Sequence, residues 1–159
     1  MSCVLPDDQS VVSRIKSRAL DYLGFIQNDG VEAIQLVKYG PSQLFSYHHD
    51  WYDEPIADTK GGRYNRLASF FIYLDANCTG GETYFPKLPP PPVGADEDVF
   101  TTTGKRKGIG FVPRAGSGIF WMNLLSNGTG DTRTLHAGLP VTEGSKVGMN
   151  IWVKRIIDM

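Results

Sequence analysis

Val12, Ile15, Ala19 and Leu23 recur at i, i+3, i+7 and i+11, which places four apolar side chains on one stripe of a helix. Asp7, Asp8, Gln9 and Ser10 offer capping oxygens and negative charge at its start, and Gly24 suits its end. The pattern predicts one amphipathic helix that buries a single face. Residues 28–33 read as a short helical or turn segment. From residue 35 the period changes to alternation. Residues 35–39, 44–51, 67–75, 110–113, 119–123 and 147–154 read as strands, rich in aromatic and β-branched residues. Residues 53–65 are a polar loop, and residues 80–86 a tight turn entering another short strand. The strands at 110–113 and 119–123 flank a glycine-bearing turn, the pattern of a hairpin.

Many short strands separated by Gly and Pro breaks, with helix only at the front, predict a mainly β fold. The expected architecture is a double-stranded β-helix, or jelly roll, with the N-terminal helix packed on its outer face. A chain of 159 residues with 41% hydrophobic content builds one domain, 1–159, with a sizeable core. Pro89–Pro92 and the polar stretch after them make residues 87–110 the long connection, a flexible surface loop or a lid.

Sixteen basic against seventeen acidic residues give a net charge of -1, which excludes the basic footprint of a nucleic-acid binder. Cys3 and Cys78 are too few for a disulfide framework; they could pair with each other, and two free thiols is the plainer reading. No apolar run reaches membrane-spanning length and the first residues lack a hydrophobic signal segment, so the chain reads as soluble.

The candidate chemistry lies in Tyr47-His48-His49-Asp50. On an extended strand His48 and Asp50 share a face and His49 points the other way. His136 would complete a set of two imidazoles and one carboxylate, which leaves three of six octahedral positions open around ferrous iron. The same donor set also describes a catalytic zinc site. Ten residues after His136, alternation puts Lys146, Gly148, Asn150 and Trp152 on one strand face. An inward lysine needs an anion to offset its desolvation, and Gly148 would leave space for one. A strand-end lysine reaching solvent is the other reading.

Tyr39, His48-x-Asp50, Arg66, Gly80-Gly81-Glu82-Thr83-Tyr84-Phe85-Pro86, Leu135-His136-Ala137-Gly138-x-Pro140-Val141, Gly144-x-Lys146 and Trp152 stand in a telling order. In that order and spacing the chain resembles the iron- and 2-oxoglutarate-dependent prolyl 4-hydroxylase family, from about residue 4 to residue 155. The resemblance implies that His48, Asp50 and His136 bind Fe(II) and serve catalysis. It implies that Lys146, helped by Thr83 and by Tyr39, Tyr73 or both, grips the distal carboxylate of 2-oxoglutarate. O2 is the co-substrate and ascorbate the candidate reductant. Arg66, Trp152 and Phe45 would meet a proline-containing peptide or protein, although Phe45 stands where many relatives carry tyrosine. Val147 likewise stands where the family often has tryptophan.

The implied reaction is hydroxylation of a prolyl residue coupled to conversion of 2-oxoglutarate to succinate and CO2. The alternatives are the same chemistry on free proline, another amino acid or a secondary metabolite, and a catalytically silent ligand-binding jelly roll. Relatives also begin with a further strand and helix, so the resemblance implies a shortened front. It leaves the compartment open between the endoplasmic reticulum or secretory pathway and the cytoplasm.

Overall fold

The computed structural model describes residues 1–24, 26, 28–59, 61–101 and 107–158. Its spine is a pair of long antiparallel strands, β5 (Arg63–Gly80) and β11 (Val141–Asp158), in register from Gly80↔Val141 to Arg63↔Asp158. On the far side of β11 lie β2 (Gln35–Tyr39) and then β1 (Ser2–Val4). On the far side of β5 lie the two-residue β4 (Ile56–Ala57) and β9 (Gly118–Met122). A second sheet runs β3 (Phe45–His48), β10 (His136–Gly138), β6 (Thr83–Phe85), β8 (Ile109–Phe111) and β7 (Phe100–Thr101). Two antiparallel sheets wound from one chain make the expected jelly roll.

Alternation along β5 and β11 divides the apolar residues between two layers. Met149, Ile151 and Val153 face outward and pack with Val12, Ala19, Leu23, Ile34, Leu67 and Ala68 beneath the helix α1 (Ser10–Leu23). Phe71 and Tyr73 face inward and meet Phe85, Ile119, Phe111 and Trp121 between the sheets. Full burial of such a side chain is worth about 1.5–3 kcal/mol, so both layers stabilise the spine. Gly24 ends α1 at φ +59°, with its N–H donated to the carbonyls of Leu20 and Asp21.

Several local expectations are corrected. The cap position is Gln9, whose side chain makes no capping bond. Asp7 and Asp8 lie before that position and Ser10 inside the helix, and Asp7 pairs instead with Lys16 at 2.7 Å. Residues 28–33 form no helix, because they continue the edge of β11 past the end of β2. Val31 bridges Val153, and the N–H groups of Asp29 and Glu32 donate to Lys154 and Trp152.

The strands around residues 114–117 do not form a hairpin: β8 belongs to one sheet and β9 to the other. The turn is captured by β5, with Tyr73 N–H donating to Ser117 C=O and Gly116 N–H to Tyr73 C=O, which delivers β9 onto that edge. Within residues 87–110, Phe100–Thr101 adds a strand to the second sheet, and residues 102–106 lie outside the described residues. Cys3 and Cys78 are free thiols. Among the described residues no helix is long and apolar enough to cross a membrane.

Two segments far apart in sequence are clamped together just outside the interior. Trp51 donates its indole N–H to Asp131 C=O at 3.3 Å, and His49, whose ring is tilted against Trp51 at 4.5 Å, lies 3.4 Å from Thr132 C=O. The indole rests directly on Gly130, where a Cβ would overlap the ring. Gly130→Ala is therefore expected to destabilise the fold by about 1–3 kcal/mol, the cost of overpacking, read as a lower urea midpoint with an unchanged slope.

Candidate active site

β3 and β10 are antiparallel neighbours in which His48 is the direct partner of His136. Direct cross-strand partners on one face lie close, and the two ring centroids are 4.2 Å apart. Asp50 is not on the strand, which ends at His48, but in the bend that follows. That bend is held by Asn65, which accepts from Tyr52 N–H at 2.9 Å and donates to Tyr52 C=O at 2.8 Å. The result returns Asp50 to the His48 side, with its Oδ1 3.6 Å from His48 Nε2 and 3.9 Å from His136 Nε2. Among the described residues these three are the one group of metal-ligating side chains, with all ligand atoms within 4.8 Å of one another.

Hydrogen bonds to the remaining ring nitrogens set the imidazole tautomers. His48 Nδ1 lies 2.8 Å from Ser46 C=O and His136 Nδ1 2.8 Å from Thr134 C=O. A carbonyl only accepts, so each Nδ1 carries a proton and Nε2 is the nitrogen left facing the centre, the one available to a metal in the neutral ring. His136 is sandwiched between Phe85, at 5.2 Å in a stacked geometry, and Trp121, at 4.9 Å edge-on. Burial lowers its pKa against the pull of Asp50, favouring the neutral ring a metal requires. Burial alone would raise the Asp50 carboxyl. His48, His136, Ser69 and Arg66 outweigh that and hold it at about 2. Asp50 is a carboxylate at any physiological pH.

Lys146 is 1% exposed, and its ammonium enters the same cavity, of about 520 Å³. It lies 5.0 Å from the Tyr39 ring centroid and 5.6 Å from those of Phe71 and Tyr73, and donates to Gly81 C=O. Gly80 and Gly81, at φ +72° and +75°, make the turn that brings this carbonyl inward, and a Cβ on Gly81 would crowd the Val141 side chain at 3.0 Å and touch the Lys146 stem at 3.4 Å. Desolvation lowers the ammonium to about 8, because neither Cys78 nor Glu82 compensates for burial. Among the described residues it forms no ion pair. The space expected beside Gly148 is absent, since the Phe71 ring fills it.

Thr83 and Tyr39 line the cavity, whereas Tyr73 stands behind Thr83 with its phenol 2.7 Å from the Thr83 hydroxyl. The other expected residues lie toward the mouth. Arg66 is bidentate to Glu32 at 2.7 and 2.9 Å, stacks 3.7 Å over Trp152, and reaches Asp50 C=O at 3.4 Å. Phe45 is 50% exposed at the rim and meets the His48 ring edge-on at 4.3 Å. Glu32, Ser69, Trp121 and Asn123 escaped the sequence reading. Ser69 alone carried a signal, as the polar residue in the otherwise apolar face Ser69, Phe71, Tyr73.

Comparison with known proteins places this geometry among relatives. Residues 34–154 match the family model described as 2OG-Fe(II) oxygenase superfamily. The chain is 32% identical over 148 residues to prolyl 4-hydroxylase subunit alpha-1 of Gallus gallus, covering 92% of this chain and 25% of the relative. It is 33% identical over 125 residues to prolyl 4-hydroxylase 1 of Arabidopsis thaliana, covering 78% and 41% respectively. The chain thus spans about a quarter to two fifths of the length of these curated relatives. A crystal structure of a viral collagen prolyl hydroxylase from Paramecium Bursaria Chlorella virus-1, as a 2OG complex, superposes with a TM-score of 0.73 at 25% identity. That likeness covers 98% of this chain and 79% of the other.

Proposed function

Because the chain belongs to the 2OG-Fe(II) oxygenase superfamily, we propose that it hydroxylates prolyl residues of a peptide or protein, using Fe(II), 2-oxoglutarate and O2. The observation that carries the proposal is the convergence of two imidazoles and a carboxylate beside a buried ammonium that forms no ion pair among the described residues. Two nitrogens and one oxygen on one side of a common point fit Fe(II) with open positions. The ammonium fits an organic anion that also reaches the metal.

When bound, iron and 2-oxoglutarate supply the oxidising power, one oxygen atom of O2 going to succinate and the other into a substrate C–H bond. The residues of this chain do the rest. His48, Asp50 and His136 hold the ion through Nε2, Oδ1 and Nε2. Lys146 and the Thr83 hydroxyl receive the distal carboxylate, a charge-assisted grip that fixes the cosubstrate's direction. Tyr73 orients Thr83 rather than touching the cosubstrate, and Tyr39 closes the other side.

At the mouth, Phe45 and Trp152 offer apolar surface suited to a pyrrolidine ring, and Arg66, fixed by Glu32, offers donors to peptide carbonyls. Phe85 and Trp121 shield the inner ligand from water.

The test is succinate release with Fe(II) and 2-oxoglutarate, alone and with a proline-rich peptide or free amino acids. Peptide is expected to raise the rate at least about tenfold, with a gain of one oxygen per modified residue by mass spectrometry. Coupling to a free amino acid alone would remove the peptide assignment. Absence of succinate under every condition would remove the oxygenase activity itself.

A further inference from the structure

Ser69 and Asn123 are both 0% exposed, and neither is one of the three metal-type ligands. Ser69 lies on the inward face of β5 and Asn123 just after β9, so the pairing of these strands brings both under the Asp50 bend. A carboxylate only accepts hydrogen bonds, so the 2.6 Å contact between Ser69 Oγ and Asp50 Oδ2 commits the single hydroxyl proton to Asp50. The 2.8 Å contact between Asn123 Nδ2 and Ser69 Oγ is then donated by the amide. Proton inventory fixes the direction of this relay, from amide to hydroxyl to carboxylate.

Its far end is held by main chain. Asn123 N–H donates to Leu67 C=O at 2.8 Å, and Asn123 C=O accepts from Asp131 N–H at 2.8 Å. Asp131 caps the short 3-10 turn Thr132–Thr134 that delivers His136. The relay therefore ties β5, the Asp50 bend and the His136 segment to one rigid point.

Resting on the metal-site reading above, we infer that Ser69 and Asn123 are positioning residues that hold Asp50 as a one-oxygen ligand. Oδ2 is occupied by the Ser69 hydroxyl, and Oδ1 lies 3.6 Å from His48 Nε2 and 3.9 Å from His136 Nε2. A carboxylate free to turn would approach the ion through both oxygens and occupy a position that 2-oxoglutarate or O2 requires. Ser69 and Asn123 thereby preserve vacant coordination positions without touching the metal or the cosubstrate.

The experiment uses the full chain with Mn(II) as probe and water-proton relaxation to count exchangeable waters on the ion. The unaltered protein is expected to hold about three, falling to about one with 2-oxoglutarate. Ser69→Ala is expected to lose one water in each state, leaving none beside the cosubstrate. Asn123→Asp, whose carboxylate would capture the Ser69 proton, is expected to do the same, and Ser69→Thr, which keeps the hydroxyl, to restore the original counts. Unaltered counts in both Ser69→Ala and Asn123→Asp would overturn the inference and leave the metal site standing. Where circular dichroism shows Ser69→Ala unfolded, Asn123→Asp decides. Failure of the unaltered chain to bind Mn(II), or binding that survives His136→Ala, would remove the metal site and this inference with it.

Discussion

Replacing His136 with alanine is expected to abolish tight metal binding and to lower 2-oxoglutarate turnover by more than about a hundredfold. Even partners outside the coordination shell of a metal are worth about 10- to 100-fold in affinity or activity, and a ligand is worth more. The substitution also leaves a void between Phe85 and Trp121, since the ring is stacked between them. Asp50→Asn is the companion that separates the two effects. It keeps the shape, but its one oxygen cannot serve both sides: with that oxygen accepting from Ser69, an NH2 donor faces the ion in place of the charged oxygen. Titration of the apoprotein with Fe(II) under anaerobic conditions, with thermal unfolding in parallel, reads both. Asp50→Asn should lose metal affinity with little loss of stability, whereas His136→Ala should lose both. A variant lacking His136 that binds Fe(II) as before would refute the assigned site.

Replacing Lys146 with methionine should move stability and ligand affinity in opposite directions. An uncompensated buried ammonium is costly in the empty protein, and removing it should stabilise the fold. The same removal should weaken 2-oxoglutarate binding by about two orders of magnitude or more, because breaking a buried charge pair costs about 3–5 kcal/mol.

The pH dependence separates these contributions. The folded-state pKa of Lys146, about 8, lies below the ordinary value of 10.5 that it regains on unfolding. Between those values the unfolded chain holds a proton that the folded chain has released, so stability of the empty protein rises with pH across this window. Below about 8 both states are protonated and the penalty is complete. Binding of the dianion runs the other way: it needs the ammonium, and affinity should fall by up to about tenfold per pH unit above about 8. Thermal unfolding and calorimetric titration from pH 7 to 10 should show both slopes in the original protein. Lys146→Met should flatten both.

The periodic parts of the fold were legible because one-sided burial imposes a period. The stripe Val12, Ile15, Ala19, Leu23 and the alternation through Leu67–Asp75 each marked an element and its buried face. Lys146 was legible for the same reason, since it had to point inward if Met149, Ile151 and Val153 packed outward, whereas the approach of Asp50 to His48 comes from the bend after β3 and not from alternation along the strand. What the chain did not disclose depends on partners distant in sequence. Nothing near residues 110–123 says that β8 and β9 join different sheets, because that is decided by the edge of β5. Nothing near Glu32 says that it locks Arg66, because their pairing comes from a segment running along β11. Asn123 carries no local mark of its link to Asp50, and Gly148 looked like room for a ligand because the Phe71 ring that fills it lies on a different strand.

The direct pairing of His48 with His136 makes the closeness of the two imidazoles independent of the length of the surface connections between them. Insertions or deletions in surface connections leave the two imidazoles adjacent as long as the strands keep their alignment, so loops at the mouth are free to diversify around an unchanged centre. A single residue added between Phe45 and His48 is different in kind: it would turn one imidazole to the opposite side of the sheet and dismantle the centre while leaving the hydrophobic layers almost untouched.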